Sequence, residues 1–319
     1  MTTKLTDLNR DIAGPEIGKY LKEEERSTLE RLSKTTQGLF QRDRHQEMAN
    51  KLLLQVIRGE QDKAEKILKI RPDLLLMTGT ATDYSGRTFA TTAFRAALWA
   101  LDTRYMCNMM LDCIPVSQEG EAIKQGLMNQ FKTHAAEGLD YELNGVTIHE
   151  THYDFSPIKA ALKTYVDNYP NWSVAVKPDA MVNQWCKVVG LAQRYVPAHV
   201  AQHYCDRTES FYPTPAFNKK TFVRRDLYFY NVVQGNCKDW FDTTSGLGVD
   251  FAIAAGDIHL TGPCARTGHR NLLVGVPGSL ARVELAALTQ LCAVRTRDLV
   301  PLMQRLGLEG PGMRLCVIS

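Results

Sequence analysis

The chain has 319 residues, 44% hydrophobic and 23% charged, with a net charge of +3. This is ordinary soluble globular composition, with room for two modest domains. The small charge and the lack of a Lys/Arg run exclude a nucleic-acid surface, no apolar run reaches the roughly 18 residues of a membrane span, and MTTKLTDLNRD has no apolar signal-peptide core. Eight cysteines are scattered without a CxxC pair, which points to free thiols in a reducing compartment.

Residues 1–46 read as a helical head. Ile17, Tyr20 and Leu21 share one helix face, and apolar residues recur at Leu29, Leu32, Leu39 and Phe40. Pro15 suits a first helical position, and Glu23, Glu24 and Glu25 place negative charge where a second helix would begin. About forty residues bury too little surface to fold alone, so this stripe must dock on the body or on another protein. Leu8-Asn9-Arg10-Asp11-Ile12, then Ile17, Tyr20-Leu21 and Leu32-Ser33-Lys34, resemble an F-box, the motif that docks a substrate receptor onto the Skp-family adaptor of a cullin ubiquitin ligase. The resemblance implies that Leu8, Ile12, Ile17, Leu21, Leu29 and Leu32 face the adaptor. Gln41-Arg42-Asp43-Arg44-His45 reads as a short charged linker.

Residues 47–170 read as helix pairs. Met48–Arg58 has Leu52, Leu53, Val56 and Ile57 on one face and stops at Gly59, and Asp62–Ile70 stops at Pro72. A loop, Met77–Thr91, is expected next, followed by helices from Thr92 to Ala100 and from Thr103 to Cys113. The turn Asp83-Tyr84-Ser85-Gly86-Arg87-Thr88 and the helix opening Thr92-Ala93-Phe94-Arg95-Ala96-Ala97 resemble an ankyrin repeat. Ser156-Pro157-Ile158-Lys159-Ala160-Ala161-Leu162 repeats that opening about two ankyrin periods later. Between them, Glu121–His134 reads as helix and Tyr141–Ile148 as a β finger. Stacked units of this kind leave their turns projecting on one side, usually toward a protein. Tyr84 and Arg87 are therefore the candidate substrate-binding residues, with the alternative that Asp83 and Arg87 only fix the turn.

Residues 171–310 read as a mixed, mostly helical C-terminal domain. Helices are expected at Asp179–Tyr195, Pro197–Tyr204, Ser279–Ala293 and Thr296–Leu306, short strands at Leu227–Val233 and Phe251–Ala255, and a loop from Gly235 to Gly248. The fold class is thus mainly α with a few short strands. The candidate metal ligands are weak. His199 and His203 share a helix face, but no third ligand beyond Cys205 follows with standard spacing. His259, Cys264 and His269 fit no closed zinc site, and His149 and His152 are too close for an HExxH helix. No metal, cofactor or catalytic residue is assigned.

Residues 311–319 read as a flexible tail. Cys316-Val317-Ile318-Ser319 has the C-a-a-X form, with a terminal Ser that favours farnesyl, so Cys316 is the candidate prenylation site. One lipid chain anchors only marginally, so a second membrane or partner contact is expected. Together, an F-box-like head, an ankyrin-like middle and a C-a-a-X tail resemble type IV secreted effectors of intracellular bacteria. That resemblance implies a non-catalytic receptor that recruits a host ubiquitin ligase, holds a host protein and sits on the cytoplasmic face of a host membrane. The rival expectations are an enzyme with its active site in 171–310, delivered by the same tail, or a plain scaffold.

Overall fold

The computed structural model describes residues 34–174, 178–206, 208–221, 225, 227–231, 235–255, 267–269 and 277–308, together with 20, 22 and 25. Leu8, Ile12, Ile17, Leu21, Leu29 and Leu32 of the head and Cys316 of the tail lie outside the described residues, as do His259 and Cys264.

The first described element is a 24-residue helix, α1 (Lys34–Ile57). The stretch 41–45, expected as a linker, is the middle of that helix. Its charged residues include neither Gly nor Pro, and Gln and Arg are good helix formers, so nothing local interrupts the helix. The C-terminal half of α1 buries Ala49, Leu52, Leu53 and Val56. Gly59, at φ 69°, turns the chain into α2 (Gln61–Leu68), and a short 3-10 turn, Pro72–Leu76, follows.

The expected loop Met77–Thr91 is a hairpin instead. β1 (Thr78–Thr82) pairs antiparallel with β2 (Thr88–Thr92). Asp83 makes this possible: its Oδ1 accepts the amides of Ser85 and Arg87, and its own amide donates to the Arg87 carbonyl at 2.8 Å. Thr92 then caps α3 (Ala93–Trp99) by accepting the Arg95 amide. A π-helical turn, Thr103–Cys107, leads into α4 (Asn108–Asp112), and α5 (Gln118–Glu137) is capped by Ser117. The β finger is present as β3 (Leu139–Leu143) and β4 (Val146–Glu150), joined by Asn144-Gly145, both at positive φ as a two-residue hairpin requires. β3 also pairs with β2, so the four strands form one antiparallel sheet in sequence order.

The second half begins with α6 (Ser156–Val174), followed by α7 (Pro178–Val182), a π-helical stretch Asn183–Val189, α8 (Gly190–Arg194) and α9 (Ala198–Cys205). A second four-stranded sheet has the order β6-β5-β8-β7, with β5 (Tyr228–Asn231), β6 (Asn236–Asp239), β7 (Ala252–Ala254) and β8 (Thr267–His269). β5 and β8 run parallel. β6 lies within the Gly235–Gly248 stretch that was expected to be loop. The chain closes with α10 (Gly278–Arg297) and α11 (Leu299–Leu306). The protein is mainly α with short strands.

Among the described residues the buried apolar side chains form one cluster that runs from Ala49 to Leu306. Polar side chains inside it complete the backbone of the second sheet. Gln193 donates to the Ile253 carbonyl and accepts the Ile253 amide, both at 2.8 Å, while Glu284 on α10 accepts the Ala255 amide. A buried amide and carboxylate thus stand in for a missing neighbouring strand, which satisfies groups that would otherwise be costly to bury. Cys237 is disulfide-bonded, which corrects the expectation of free thiols throughout; Cys107, Cys113, Cys186, Cys205 and Cys292 form no disulfide.

Candidate partner-binding site at the Tyr84 turn

The two candidate residues of the Asp83–Thr88 turn have different fates. Arg87 points inward and is 3% exposed. Its Nη1 pairs with Asp83 Oδ2 at 2.9 Å, and its Nη2 donates to the Tyr195 carbonyl. The guanidinium lies 5.3 Å from the ring centroid of Trp99, 5.7 Å from Tyr141 and 5.9 Å from Tyr153. So Arg87 does what the alternative reading gave it: it fixes the turn, and it also locks that turn to the segment after α8. Ser85 adds a second tie, donating to the Arg194 carbonyl.

Tyr84 points the other way. Its ring stacks on Phe241 with centroids 4.9 Å apart and planes 8° from parallel, and the Arg58 guanidinium covers it at 4.7 Å. Tyr84 and Phe241, with Asp239, Asp242 and Thr243, line an open groove of about 480 Å³. Tyr228 stands opposite Asp239 across the β5–β6 ladder and is half-exposed. Burial, with Asp242 and Glu60 nearby, raises the Asp239 carboxyl above the usual range. Asp242 is held below it, because the amide and hydroxyl of Thr244 both donate to it.

Sequence reasoning placed Tyr84 but missed Asp239 and Phe241. They fall in a stretch read as loop, 155 and 157 positions further along the chain. The legible signal was the alternation Asp239-Trp240-Phe241-Asp242: Trp240 is buried in the core while the residues on either side face the groove.

Among the described histidines, His134, His199 and His203 are buried within the packing. His199 and His203 on α9 are both buried, and burial pushes His199 down to about 3. The arginines around them are already paired: Arg225 with Asp102 at 2.8 Å, and Arg104 and Arg295 both with Asp298. Arg295 also reaches His203 Nε2 at 2.9 Å. His149 pairs with Asp140 at the surface, at 2.6 Å, and His152 bonds the Leu98 carbonyl. No group of side chains that could hold a metal occurs among the described residues. Burial raises the thiols of Cys107, Cys292 and Cys113, the last to about 11, so these three are poor nucleophiles. Among the described residues no helix is long and apolar enough to cross a membrane.

Comparison with known proteins adds a family. Residues 157–306, from the start of α6 to the end of α11, match the model of the CBUA0006 C-terminal domain. The uncharacterized protein CBUA0006 of Coxiella burnetii (strain RSA 493 / Nine Mile phase I) is 38% identical over 280 residues, which cover 84% of this chain and 78% of that protein. No solved structure matches.

Proposed function

We propose that this chain, which belongs to the family of CBUA0006, is a non-catalytic substrate receptor that carries a host Skp-adaptor/cullin ubiquitin ligase on its N-terminal head. The observation that carries the reading is α1. A receptor must hold its ligase-recruiting end at a fixed distance from its substrate-holding end. α1 begins at Lys34, enters the core at Ala49 and runs to Ile57 without a break, about 36 Å in all at 1.5 Å per residue. It is anchored on the β1–β2 hairpin, the element that presents Tyr84. Gln46 donates to the Thr78 carbonyl, and Asn50 accepts the Thr80 amide. The F-box resemblance of Leu8, Ile12, Ile17, Leu21, Leu29 and Leu32 and the ankyrin resemblance of the Asp83 turn and the 92–97 and 156–162 helix openings belong to this proposal. So do delivery through a type IV secretion system and host-membrane anchoring through prenylated Cys316.

The test is binding of the full chain to a purified Skp-family adaptor. A stable complex is expected, weakened at least tenfold by Leu8→Ala combined with Leu21→Ala. Unchanged binding in the double variant removes the head from the reading. For the tail, Cys316→Ser is expected to move the protein from host membranes to cytosol; an unchanged membrane fraction refutes the anchor.

A further inference from the structure

We propose that the groove beside the stacked Tyr84 and Phe241 rings, whose role as a partner-holding site rests on the receptor reading above, takes the end of a lysine or arginine side chain from a protein partner. The polar atoms that the described lining offers are two carboxylates, Asp239 and Asp242, and the hydroxyls of Tyr84 and Thr243, so its character is acceptor-rich and anionic. Its walls are the aromatic rings of Tyr84 and Phe241, with Tyr228 across the ladder from Asp239. Carboxylates beside an aromatic pair attract a cation by charge, and the edges of the stacked rings accept its alkyl stem.

The balance of nearby charge singles out Asp239. Glu60, the neighbouring carboxylate on the α2 side, is paired with Lys63 at 3.1 Å. Asp242 has Lys238 at 4.0 Å and two bonds from Thr244. Arg58 lies against the ring of Tyr84. Among the described residues, Asp239 accepts only backbone amides, including that of Phe241 at 3.4 Å, and no basic side chain lies in bonding range of it. A half-buried carboxylate without a cation is an unbalanced charge, and an ammonium or guanidinium entering the groove would balance it. A lysine or arginine is long enough to lay its stem along Phe241 while its head reaches Asp239. An acidic or neutral side chain would leave that carboxylate as it is.

The experiment is an amide-resolved NMR titration of the full chain with N-acetyl-arginine methylamide and N-acetyl-lysine methylamide, using N-acetyl-norleucine methylamide as the uncharged control. Expected are saturable shifts at the Tyr84, Phe241 and Thr243 amides with either cationic probe and none with norleucine. Asp239→Asn is expected to weaken the response at least fivefold while leaving the remaining spectrum in place. Phe241→Leu, which keeps the volume and removes the ring, is expected to weaken it severalfold. Three results would each overturn the proposal: no saturable shift at these amides, an equal response to norleucine, or unchanged affinity in Asp239→Asn. Adaptor binding by the head is measured separately, so a null titration with adaptor binding intact rejects the groove alone. Loss of adaptor binding with the titration intact rejects the ligase reading alone.

Discussion

Asp102 and Arg225 are 123 positions apart in the chain and 2.8 Å apart in space, with Asp102 buried and the Arg225 side chain largely covered. Leu101, at φ 59°, turns Asp102 inward, where its Oδ1 also accepts the Met106 amide. The Asp102 carboxyl is fully buried, which acts to raise its pKa, but Arg225 and His199 outweigh this and hold it at about 2. The pair ties the first half of the fold to the second. Breaking a buried ion pair leaves one charge uncompensated, so Asp102→Ala should cost about 3–5 kcal/mol. Urea unfolding measures this, and a loss below ~1 kcal/mol would show that water reaches the pair.

Acid should weaken the fold through its buried histidines. His134 and His199 are both held at about 3 by burial, against an ordinary 6.5. Their folded pKa values are depressed, so the unfolded chain binds protons that the folded chain does not. Stability is therefore complete above about pH 6.5 and falls as pH drops toward 3, by roughly 2 kcal/mol per histidine at pH 5. Asp102 acts in the same direction, but only as pH falls below about 4. The urea midpoint should be flat between pH 7 and 8 and decline from pH 6.5 to 5, with a shallower decline in His134→Gln. A midpoint independent of pH over that range would refute the buried neutral state.

Gly79 allows α1 to lie against β1. A methyl group there would sit 2.7 Å from the Ala49 carbonyl oxygen and 2.9 Å from its carbon, both backbone atoms that cannot swing aside. Gly79→Ala should destabilise by about 1–3 kcal/mol, the usual range for overpacking. Gly145, with open space around its Cβ position, is the control for steric crowding, although its φ of 77° adds its own strain. Thermal unfolding of Gly79→Ala decides the matter: a Tm equal to wild type would mean the hairpin can move away freely.

The continuity of α1 predicts the effect of a break in it. Arg44→Pro removes a helical hydrogen bond five residues before the core begins at Ala49. Tryptic cleavage at Arg42 should rise severalfold while the Tm of the body changes little. Cleavage as slow as wild type would show that the helix tolerates the kink.

Several features were legible because they depend on neighbours in sequence. The Asp83 turn, the helix read at Glu121–His134 and found at Gln118–Glu137, and the finger read at Tyr141–Ile148 each carry their cause locally, in a short polar side chain, a cap or a glycine. The linker expected at 41–45 failed for a related reason. Charge density says that a segment is solvated, and a solvated segment without Gly or Pro is free to be a helix. The β1–β2 hairpin was read as loop because its strands are short and rich in Thr, with little apolar alternation.

The sequence by itself determined that the chain is mainly helical, where most helices lie, and that Asp83 opens a tight turn. Those are consequences of period, capping and backbone conformation within a few residues. Only the tertiary structure decided that Arg87 faces the core while Tyr84 faces a groove, that Asp239 and Phe241 complete that groove, and that Asp102 finds Arg225. These are contacts across 100 positions or more, and they are set by which faces the single core brings together, which no local pattern records.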